Sequence, residues 1–234
     1  MLPFVSVVTP TYDRRRFIPY MIKCFKSQDY PMDKMEWIIL DDGYDKVKDL
    51  FDSSGLSNVR YVALEEKVNI GEKRNKLNDL AKGTIIVAMD DDDYYPPTRV
   101  SAVVNAFKKN PTIDLAGTSE VYLYYTDIQT IYKLGPYNKN HATNGTMAWR
   151  SSYAKMHRYD EYVTHSEERS FLDDYKHPMI QLDPFHVMLV MSHSENTFDK
   201  KKMRDVVNPY VKKTEKKIGE FIKDKELLEF YSSA

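Results

Sequence analysis

The chain has 234 residues, and 34 Lys and Arg nearly balance 35 Asp and Glu, which leaves a net charge of −1 at pH 7. This length is sufficient for one α/β domain with a full core, and the balanced charge gives no reason to expect a nucleic acid partner. The single cysteine, Cys24, excludes an internal disulfide and a cysteine-based zinc site.

The sequence shows no sign of a targeting or membrane-spanning segment. Met1 runs directly into a strand-like stretch at 4–9. This start does not show the charged residues followed by a long apolar stretch that are typical of a signal peptide. No stretch approaches the ~20 apolar residues that a transmembrane helix requires. We therefore expect a cytoplasmic protein with no transmembrane segment.

The first half of the chain alternates between strand and helix patterns. Strands are predicted at 4–8, 37–40, 59–64 and 84–89, and helices at 17–26, 47–51, 72–81 and 98–109. This alternation predicts an α/β fold with a parallel, doubly wound sheet. Polar residues follow three of the strands, at 9–13, 41–42 and 90–93, so we expect them to lie along one edge of the sheet.

The second half has a different pattern. Short apolar runs at 121–125 and 129–134 predict an antiparallel hairpin, and further strands are predicted at 146–149 and 186–191. Asn208 and Pro209 predict the start of a last helix, which apolar residues at roughly helical spacing extend over 208–232. We expect one domain over 1–234, with a first half at 1–110, a second half at 111–200 and this C-terminal helix.

Four aspartates, residues 90–93, directly follow the apolar run at 84–89. Because alternate side chains of an extended chain share a face, we expect Asp90 and Asp92 to converge on one point. Adjacent carboxylates raise one another's pKa unless a cation lies among them, and hard oxygen ligands suit Mg²⁺, Mn²⁺ or Ca²⁺. The alternative is a solvated acidic turn.

The glycines exclude several common nucleotide-binding folds. All eight are scattered singly, so no pair has the spacing of a dinucleotide fingerprint or a phosphate-binding loop. An EF-hand loop starting at Asp90 is excluded because it would have Tyr95 in place of Gly and Ser101 in place of Glu. A phosphorylated ligand at the aspartates would therefore need a metal ion and basic side chains.

Several motifs occur in a fixed order along the chain: VSVVTPTYD at 5–13, IILDDG at 38–43, NIGEKRN at 69–75 with AKG at 81–83, and MDDDD at 89–93 with PTR at 97–99. In this order they resemble the inverting glycosyltransferases of family 2, from residue 4 to about 109 and more loosely to about 197. The resemblance implies a GT-A fold, with a mostly parallel central sheet flanked by helices and a small antiparallel subregion on the acceptor side.

The resemblance also implies metal-dependent transfer of a sugar from a nucleoside-diphosphate sugar, above all a UDP-sugar, to a carbohydrate or other hydroxyl acceptor. The residues that it assigns to the donor nucleotide are Thr9, Pro10, Tyr12, Asp42, Arg74, Asp90 and Asp91. Tyr12 would contact the base, Asp42 would accept its ring N–H, and Arg74 would donate charge-assisted hydrogen bonds to the diphosphate. The residues that it assigns to Mn²⁺ or Mg²⁺ are Asp90, Asp92 and His193.

Each of these residues also has an ordinary structural explanation. Tyr12 suits a half-buried loop, Asp42 a helix cap, and Arg74 an exposed helix surface. His193 lies in the segment HSENT at 193–197, which is similar to the family's late His-x-x-Asn segment, and it could instead be a structural strand-end histidine.

The catalytic base is assigned by the same resemblance. The family often has a Glu-Asp pair before a helix, and the nearest match here is EERSFL at 167–172, so Glu168 would deprotonate the acceptor hydroxyl. Asp173 and Asp174 lie close enough in sequence to remain alternatives. A bound divalent ion would act as Lewis acid on the leaving diphosphate.

Two other functions are alternatives to a glycosyltransferase. A nucleotidyltransferase should have a glycine-rich first loop, whereas residues 9–16 contain no glycine. A non-catalytic sugar-nucleotide-binding module is opposed only by the acidic residues Glu167 and Glu168, so it stays open.

Overall fold

The computed structural model describes residues 1–163, 166–196, 200–206 and 208–234. The strands are β1 (Val5–Thr11), β2 (Met35–Asp41), β3 (Val59–Ala63), β4 (Ile85–Ala88), β5 (Leu115–Gly117), β6 (Val121–Tyr125), β7 (Thr130–Leu134), β8 (Ala148–Arg150), β9 (Met179–Gln181), β10 (Leu189–Ser192) and β11 (Val211–Lys213). The helices are α1 (Ile18–Lys26), α2 (Lys48–Asp52), α3 (Ile70–Leu80), α4 (Arg99–Lys109), α5 (Ser151–Met156), α6 (Glu168–Phe171), α7 (Lys201–Arg204), α8 (Ile218–Phe221) and α9 (Lys225–Ser233). None of these described helices combines the length and apolar character that crossing a bilayer requires.

The central sheet has the strand order β3-β2-β1-β4-β8-β5-β9. The first four strands in this order, β3, β2, β1 and β4, run parallel to one another. Strand β8 is antiparallel to both β4 and β5, and β9 is parallel to β5. All residues of β1, β2 and β4 are buried, because helices cover both faces of the sheet. The predicted α/β fold with a mostly parallel central sheet is confirmed.

The carboxyl ends of β1, β2 and β4 meet at one edge of this sheet. In the parallel register, Thr11 of β1 lies beside Asp41 of β2, and Val8 of β1 lies beside Ala88 of β4. The loops that follow the three strands are therefore neighbours in space, as the sequence predicts.

Two apolar layers hold the helices against the sheet. On one face, Phe25 of α1 stacks on Trp37 of β2 with ring centroids 4.4 Å apart. On the other face, Leu77 of α3 packs in one cluster with Trp149 and Phe171. This second layer positions α3 and α6, which both carry residues of the candidate site.

A second sheet has the order β10-β6-β7-β11. Its centre is the antiparallel pair β6 and β7, so the predicted hairpin is confirmed. An isolated antiparallel bridge between Tyr94 and Leu189 connects this sheet to the chain directly after residues 90–93.

The helix predicted over 208–232 is wrong. Val211–Lys213 instead form β11, which pairs antiparallel with β7 and so uses the backbone groups that a helix would bond internally. Ile222 at the end of α8 is extended, and the Asp224 carboxylate accepts a 3.0 Å hydrogen bond from Leu227 N, which starts α9 as a separate helix. The apolar residues had roughly helical spacing because two short helices supply most of them.

Candidate active site

Three loops at the carboxyl edge of the sheet form the candidate site, and the third, residues 90–93, is called the Asp turn below. The chain turns at Asp91 and Asp92 rather than extending β4. The expectation that Asp90 and Asp92 share one face of an extended chain is therefore wrong. The turn directs Asp90 to Arg74 and Asp92 to His193, and separate partners reduce the repulsion between the two carboxylates.

Asp92 lies in a group of polar side chains from two distant segments. Its Oδ2 is 3.2 Å from His193 Nε2 and accepts a 3.2 Å hydrogen bond from Asn196 Nδ2. Arg14 Nε lies 3.9 Å from the same oxygen and 3.9 Å from Asp91 Oδ1. Burial opposes ionisation of Asp92, but His193 and nearby cations outweigh it and lower its pKa. The sequence-predicted pair of Asp92 and His193 is thus brought together, whereas Thr197 lies outside the described residues.

Arg74 joins the Asp turn to the segment that carries the candidate base. Its Nη1 donates to Asp90 Oδ1 at 3.1 Å, and its Nε donates to Glu167 Oε1 at 2.7 Å. Burial lowers the pKa of Arg74, but the charges of Asp90 and Glu167 outweigh this and raise it. Arg74 is therefore a buried, permanently charged link rather than a surface residue.

Glu168 begins α6 directly after Glu167 and is half-buried. Burial raises the pKa of Glu168 to about 7, the charge of Glu167 adds to the increase, and Arg74 opposes it. Within the described residues, no neighbouring side chain donates a hydrogen bond to this carboxylate. Glu168 can therefore exchange a proton near neutral pH.

The alternative bases, Asp173 and Asp174, have a different environment. Both follow α6 with left-handed backbone, at φ 46° and 54°, and both are exposed. Asp174 accepts a 2.6 Å hydrogen bond from Arg169, which lowers its pKa, and Asp173 accepts one of 3.1 Å from Lys176. Of the three candidates, only Glu168 is partly buried, and this burial raises its pKa.

The rest of the Asp turn is buried rather than solvated. Burial and the charge of Asp92 raise the pKa of Asp91. Burial likewise raises the pKa of Asp93 to about 8, although Asp93 accepts a 2.7 Å hydrogen bond from Met191 N. This excess of carboxylates fits a bound cation, and carboxylate oxygens such as those of Asp92 suit Mn²⁺ or Mg²⁺.

No three His, Cys, Asp or Glu side chains are close enough to hold a metal ion by themselves within 1–163, 166–196, 200–206 and 208–234. Asp90, the third predicted ligand, is held by Arg74 instead. A pair of protein ligands is nevertheless typical of an ion that also binds substrate phosphates and water.

The first loop places Tyr12 at the surface of the site. Its half-buried ring has the Lys67 ammonium 3.8 Å from its centroid and meets the exposed Tyr44 edge-on at 6.2 Å. Thr9 and Pro10, by contrast, are buried, and the Thr9 hydroxyl donates to Met89 O at 2.7 Å. Thr9 thus connects neighbouring strands, and Tyr12 is the accessible side chain of the three.

Asp42 is fully buried and paired with Lys73 of α3. Its second oxygen accepts a 2.9 Å hydrogen bond from Val68 N, and the Lys73 ammonium also donates to Thr11 O at 3.1 Å. Burial lowers the pKa of Lys73, while Asp42 opposes the decrease. Both Asp42 oxygens therefore have partners inside the protein, and Asp41, not Asp42, accepts hydrogen bonds from the loop residues Gly43 and Val47.

The family model described as Glycosyl transferase family 2 matches residues 6–162, which include the first loop, α3 and the Asp turn. The chain belongs to this family. A curated relative, an uncharacterized glycosyltransferase of Methanocaldococcus jannaschii, is 25% identical over 235 residues, covering 91% of this chain and 79% of the relative. An uncharacterized glycosyltransferase of Haemophilus influenzae, 26% identical, and the putative colanic acid biosynthesis glycosyl transferase WcaA of Escherichia coli, 32% identical, match along 36% of their own length, so the chain spans about a third of these proteins.

Two solved structures are similar in fold. S. aureus TarS 1-349 in complex with UDP-GlcNAc has a TM-score of 0.68 and 16% identity, covering 82% of this chain and 59% of TarS. The mannosyltransferase PcManGT of Pyrobaculum calidifontis, in complex with GDP-Man and Mn²⁺, has a TM-score of 0.65 and 17% identity, covering 89% of this chain and 66% of that one. The predicted GT-A fold is confirmed.

Sequence reasoning missed three residues that organise this family 2 site. Lys73 directly precedes Arg74 in the chain, and Glu167 directly precedes Glu168. Because adjacent residues on a helix point in different directions, Lys73 and Glu167 could each have been expected to have a partner of their own. Arg14 follows Tyr12 in the first loop, and its position beside the Asp turn could be expected from the shared sheet edge. No sequence signal identifies Lys73 as the partner of Asp42.

We predict that Lys73→Met destabilises the protein by about 3–5 kcal/mol, because it leaves the buried Asp42 carboxylate without its cation. The double variant Asp42→Asn with Lys73→Met should recover part of this loss. Urea unfolding followed by circular dichroism measures both effects.

The control is Lys76→Met, on the same helix. Lys76 makes an exposed 3.3 Å pair with Glu72, so its loss should change the free energy of unfolding by less than about 1 kcal/mol. Equal unfolding midpoints for Lys73→Met and Lys76→Met would contradict a buried pair between Lys73 and Asp42.

Proposed function

We propose that this protein is a metal-dependent, inverting glycosyltransferase. It moves a sugar from a nucleoside-diphosphate sugar, UDP-sugars foremost, to a hydroxyl of a carbohydrate or other acceptor. The observation that carries the proposal is the half-buried Glu168, with a pKa of about 7, close to the Arg74 link. Family membership supports the class of reaction, and the neighbours bound to UDP-GlcNAc and GDP-Man support a nucleotide-sugar donor.

In this proposal Glu168 is the general base. It takes the proton of the acceptor hydroxyl while that oxygen bonds to the anomeric carbon and the bond from this carbon to the diphosphate oxygen breaks. A single displacement from the face opposite the leaving group inverts the anomeric configuration. A pKa near the working pH supports this role, because a base is most effective when it is ionised yet still binds a proton strongly.

Arg74 and the Asp turn form the donor side. Among the described residues, no atom accepts a hydrogen bond from Arg74 Nη2, so this group can donate to the diphosphate. Asp92 and His193 would hold Mn²⁺ or Mg²⁺, and a bound ion would supply Lewis-acid stabilisation of the leaving diphosphate. Tyr12 would contact the base, while the buried Thr9, Pro10 and Asp42 fix the loops around it.

The competing functions differ in what they release from the donor. A glycosyltransferase without acceptor leaks sugar slowly to water and releases nucleoside diphosphate, and a non-catalytic module releases nothing. A nucleotidyltransferase releases pyrophosphate from a nucleoside triphosphate when it joins the nucleotide to a sugar phosphate. Assaying nucleoside diphosphate release from a panel of sugar nucleotides, and pyrophosphate release from nucleoside triphosphates with sugar phosphates, each with and without Mn²⁺, tests the proposal directly.

We predict that Glu168→Gln lowers sugar transfer about 10²–10⁴-fold while donor affinity stays unchanged, because Gln keeps the shape and removes the base. The matched control is Asp174→Asn, which removes an exposed carboxylate paired with Arg169 and should transfer normally. Loss of transfer in Asp174→Asn but not in Glu168→Gln would contradict Glu168 as the base and assign this role to Asp174, which follows α6.

The raised pKa of Glu168 also predicts a pH dependence. A general base acts in its deprotonated form, so kcat at saturating donor should rise with pH and level off above about 7, the pKa of Glu168. The residual activity of Glu168→Gln should lack this rise. A wild-type kcat that does not change across neutral pH would contradict Glu168 as the base.

We predict that UDP binds much more tightly with Mn²⁺ than in chelator, and that Asp92→Ala abolishes the difference. The reason is that Asp92 would hold the ion that bridges to the diphosphate. Calorimetry measures both affinities, with Asp33→Ala, which alters an exposed carboxylate, as control. Equal UDP affinities in Mn²⁺ and chelator for the wild-type protein would contradict metal dependence.

A further inference from the structure

A hollow of about 480 Å³ lies at the ends of two strands of the central sheet. It is lined by residues that follow β5 and β9, which end at Gly117 and Gln181. Because β8 is antiparallel to both β4 and β5, and β9 is parallel to β5, both strands run in the direction of β4. The hollow and the Asp turn therefore share one edge of the sheet, and the strands β4 and β5 that lead to them are two strand spacings, about 10 Å, apart.

A short series of contacts connects the hollow to the Asp turn. Thr118 N in its wall donates to Thr146 Oγ1 at 3.3 Å. The preceding residue, Gly145, accepts a 3.2 Å hydrogen bond from the Tyr95 hydroxyl, which itself accepts one of 2.7 Å from Asp90 N. A Cβ on Gly145 would lie 2.9 Å from Asp90 Oδ2, so this segment passes directly beside the donor side.

Hydrogen bonds between separate segments hold the walls of the hollow. The Gln181 amide accepts from Ser119 N at 2.7 Å and donates to Lys139 O at 2.8 Å. Gly135 has φ 86°, and a Cβ there would lie 2.1 Å from Ser119 O, so only glycine allows this close approach. The hollow is therefore a preformed part of the fold.

The lining has the chemistry that sugar recognition uses. Tyr137 contributes a half-buried aromatic ring. Within the described chain, the Ser119 and Tyr137 hydroxyls and the Asn138 amide nitrogen have no hydrogen-bond partner. Lys133 pairs with the Glu120 carboxylate at 2.9 Å, and Lys139 adds a cationic side chain to the lining. A lipid chain would instead need a continuous apolar lining.

We propose that this hollow binds a sugar unit of the acceptor, next to the unit whose hydroxyl reacts, so that the acceptor is a saccharide chain. This inference rests on the proposed function. Its physical basis is that contacts to a non-reacting part of a substrate position the reacting part. Tyr137 supplies the stacking surface, and Ser119 and Asn138 supply hydrogen bonds.

The test is saturation-transfer NMR with maltose, cellobiose, lactose and diacetylchitobiose, in the presence of UDP and Mn²⁺. At least one disaccharide should receive saturation from the wild-type protein. Tyr137→Ala should weaken its affinity about tenfold or more, as expected for a central aromatic contact. Asn138→Ala, which alters an exposed residue and keeps the ring, should weaken it in the same direction.

The control is Tyr162→Ala, which removes a tyrosine that is 91% exposed and lies outside the hollow. Saturation of no disaccharide, unchanged affinity in both hollow variants, or loss of binding in Tyr162→Ala would overturn the proposal. Nucleoside diphosphate release without acceptor should stay at the wild-type level in Tyr162→Ala. Failure of the proposed function would abolish that release in the wild-type protein, so the two failures are distinguishable.

Discussion

Compensation of buried negative charge at the carboxyl edge of the sheet is the interaction on which the rest of this structure depends. An unpaired carboxylate inside a protein costs several kcal/mol, and this edge carries Asp42 and the Asp turn in adjacent loops. Helix α3 provides two of the compensating cations on successive residues, Lys73 for Asp42 and Arg74 for Asp90. Because neighbouring helical residues point about 100° apart, one helix can serve two loops.

This arrangement requires that α3 be docked accurately, and the docking also positions the candidate base. Asn75 accepts from Tyr159 N and donates to Tyr159 O, both at 2.9 Å. A Cβ on Gly71 would lie 2.0 Å from Asp160 O, so the chain at 159–161 packs directly on the helix. Later in the chain, Glu167 accepts a hydrogen bond from Arg74 of the same helix.

Two adjacent glutamates thus have different environments. Glu167 accepts a hydrogen bond from Arg74 and anchors the start of α6, whereas Glu168 has no such partner in the described part of the chain and has a raised pKa. Different environments for paired carboxylates are the usual way in which one group is kept ionised while another exchanges protons. The charge of Glu167 also contributes to the raised pKa of Glu168, so the anchor helps to set the proton affinity of its neighbour.

The sequence predicts those parts of this fold that local patterns determine. Buried strands such as β4 are recognisable because parallel strands covered on both faces must be apolar. The C-terminal helix was mispredicted because apolar spacing does not reveal that β7 has a free edge for Val211–Lys213. The Asp turn was placed at the correct edge, but its shape depends on Arg74 and His193, whose contacts are distant in sequence.

The same pairing leaves little positive charge on α3 for a ligand. Lys73 is engaged by Asp42, and two groups of Arg74 are engaged by Asp90 and Glu167. Of these two side chains, Arg74 Nη2 is the group that has no partner among the described residues. On the proposed function, a divalent ion held by Asp92 and His193 would add the charge that a diphosphate requires in the absence of a glycine-rich loop. Burial raises the pKa values of Asp91 and Asp93, and a bound ion would favour their charged forms. On the proposed function, the acidic Asp turn is thus the counterpart of the missing phosphate loop, because it would attract a cation where the loop would have supplied backbone N–H groups.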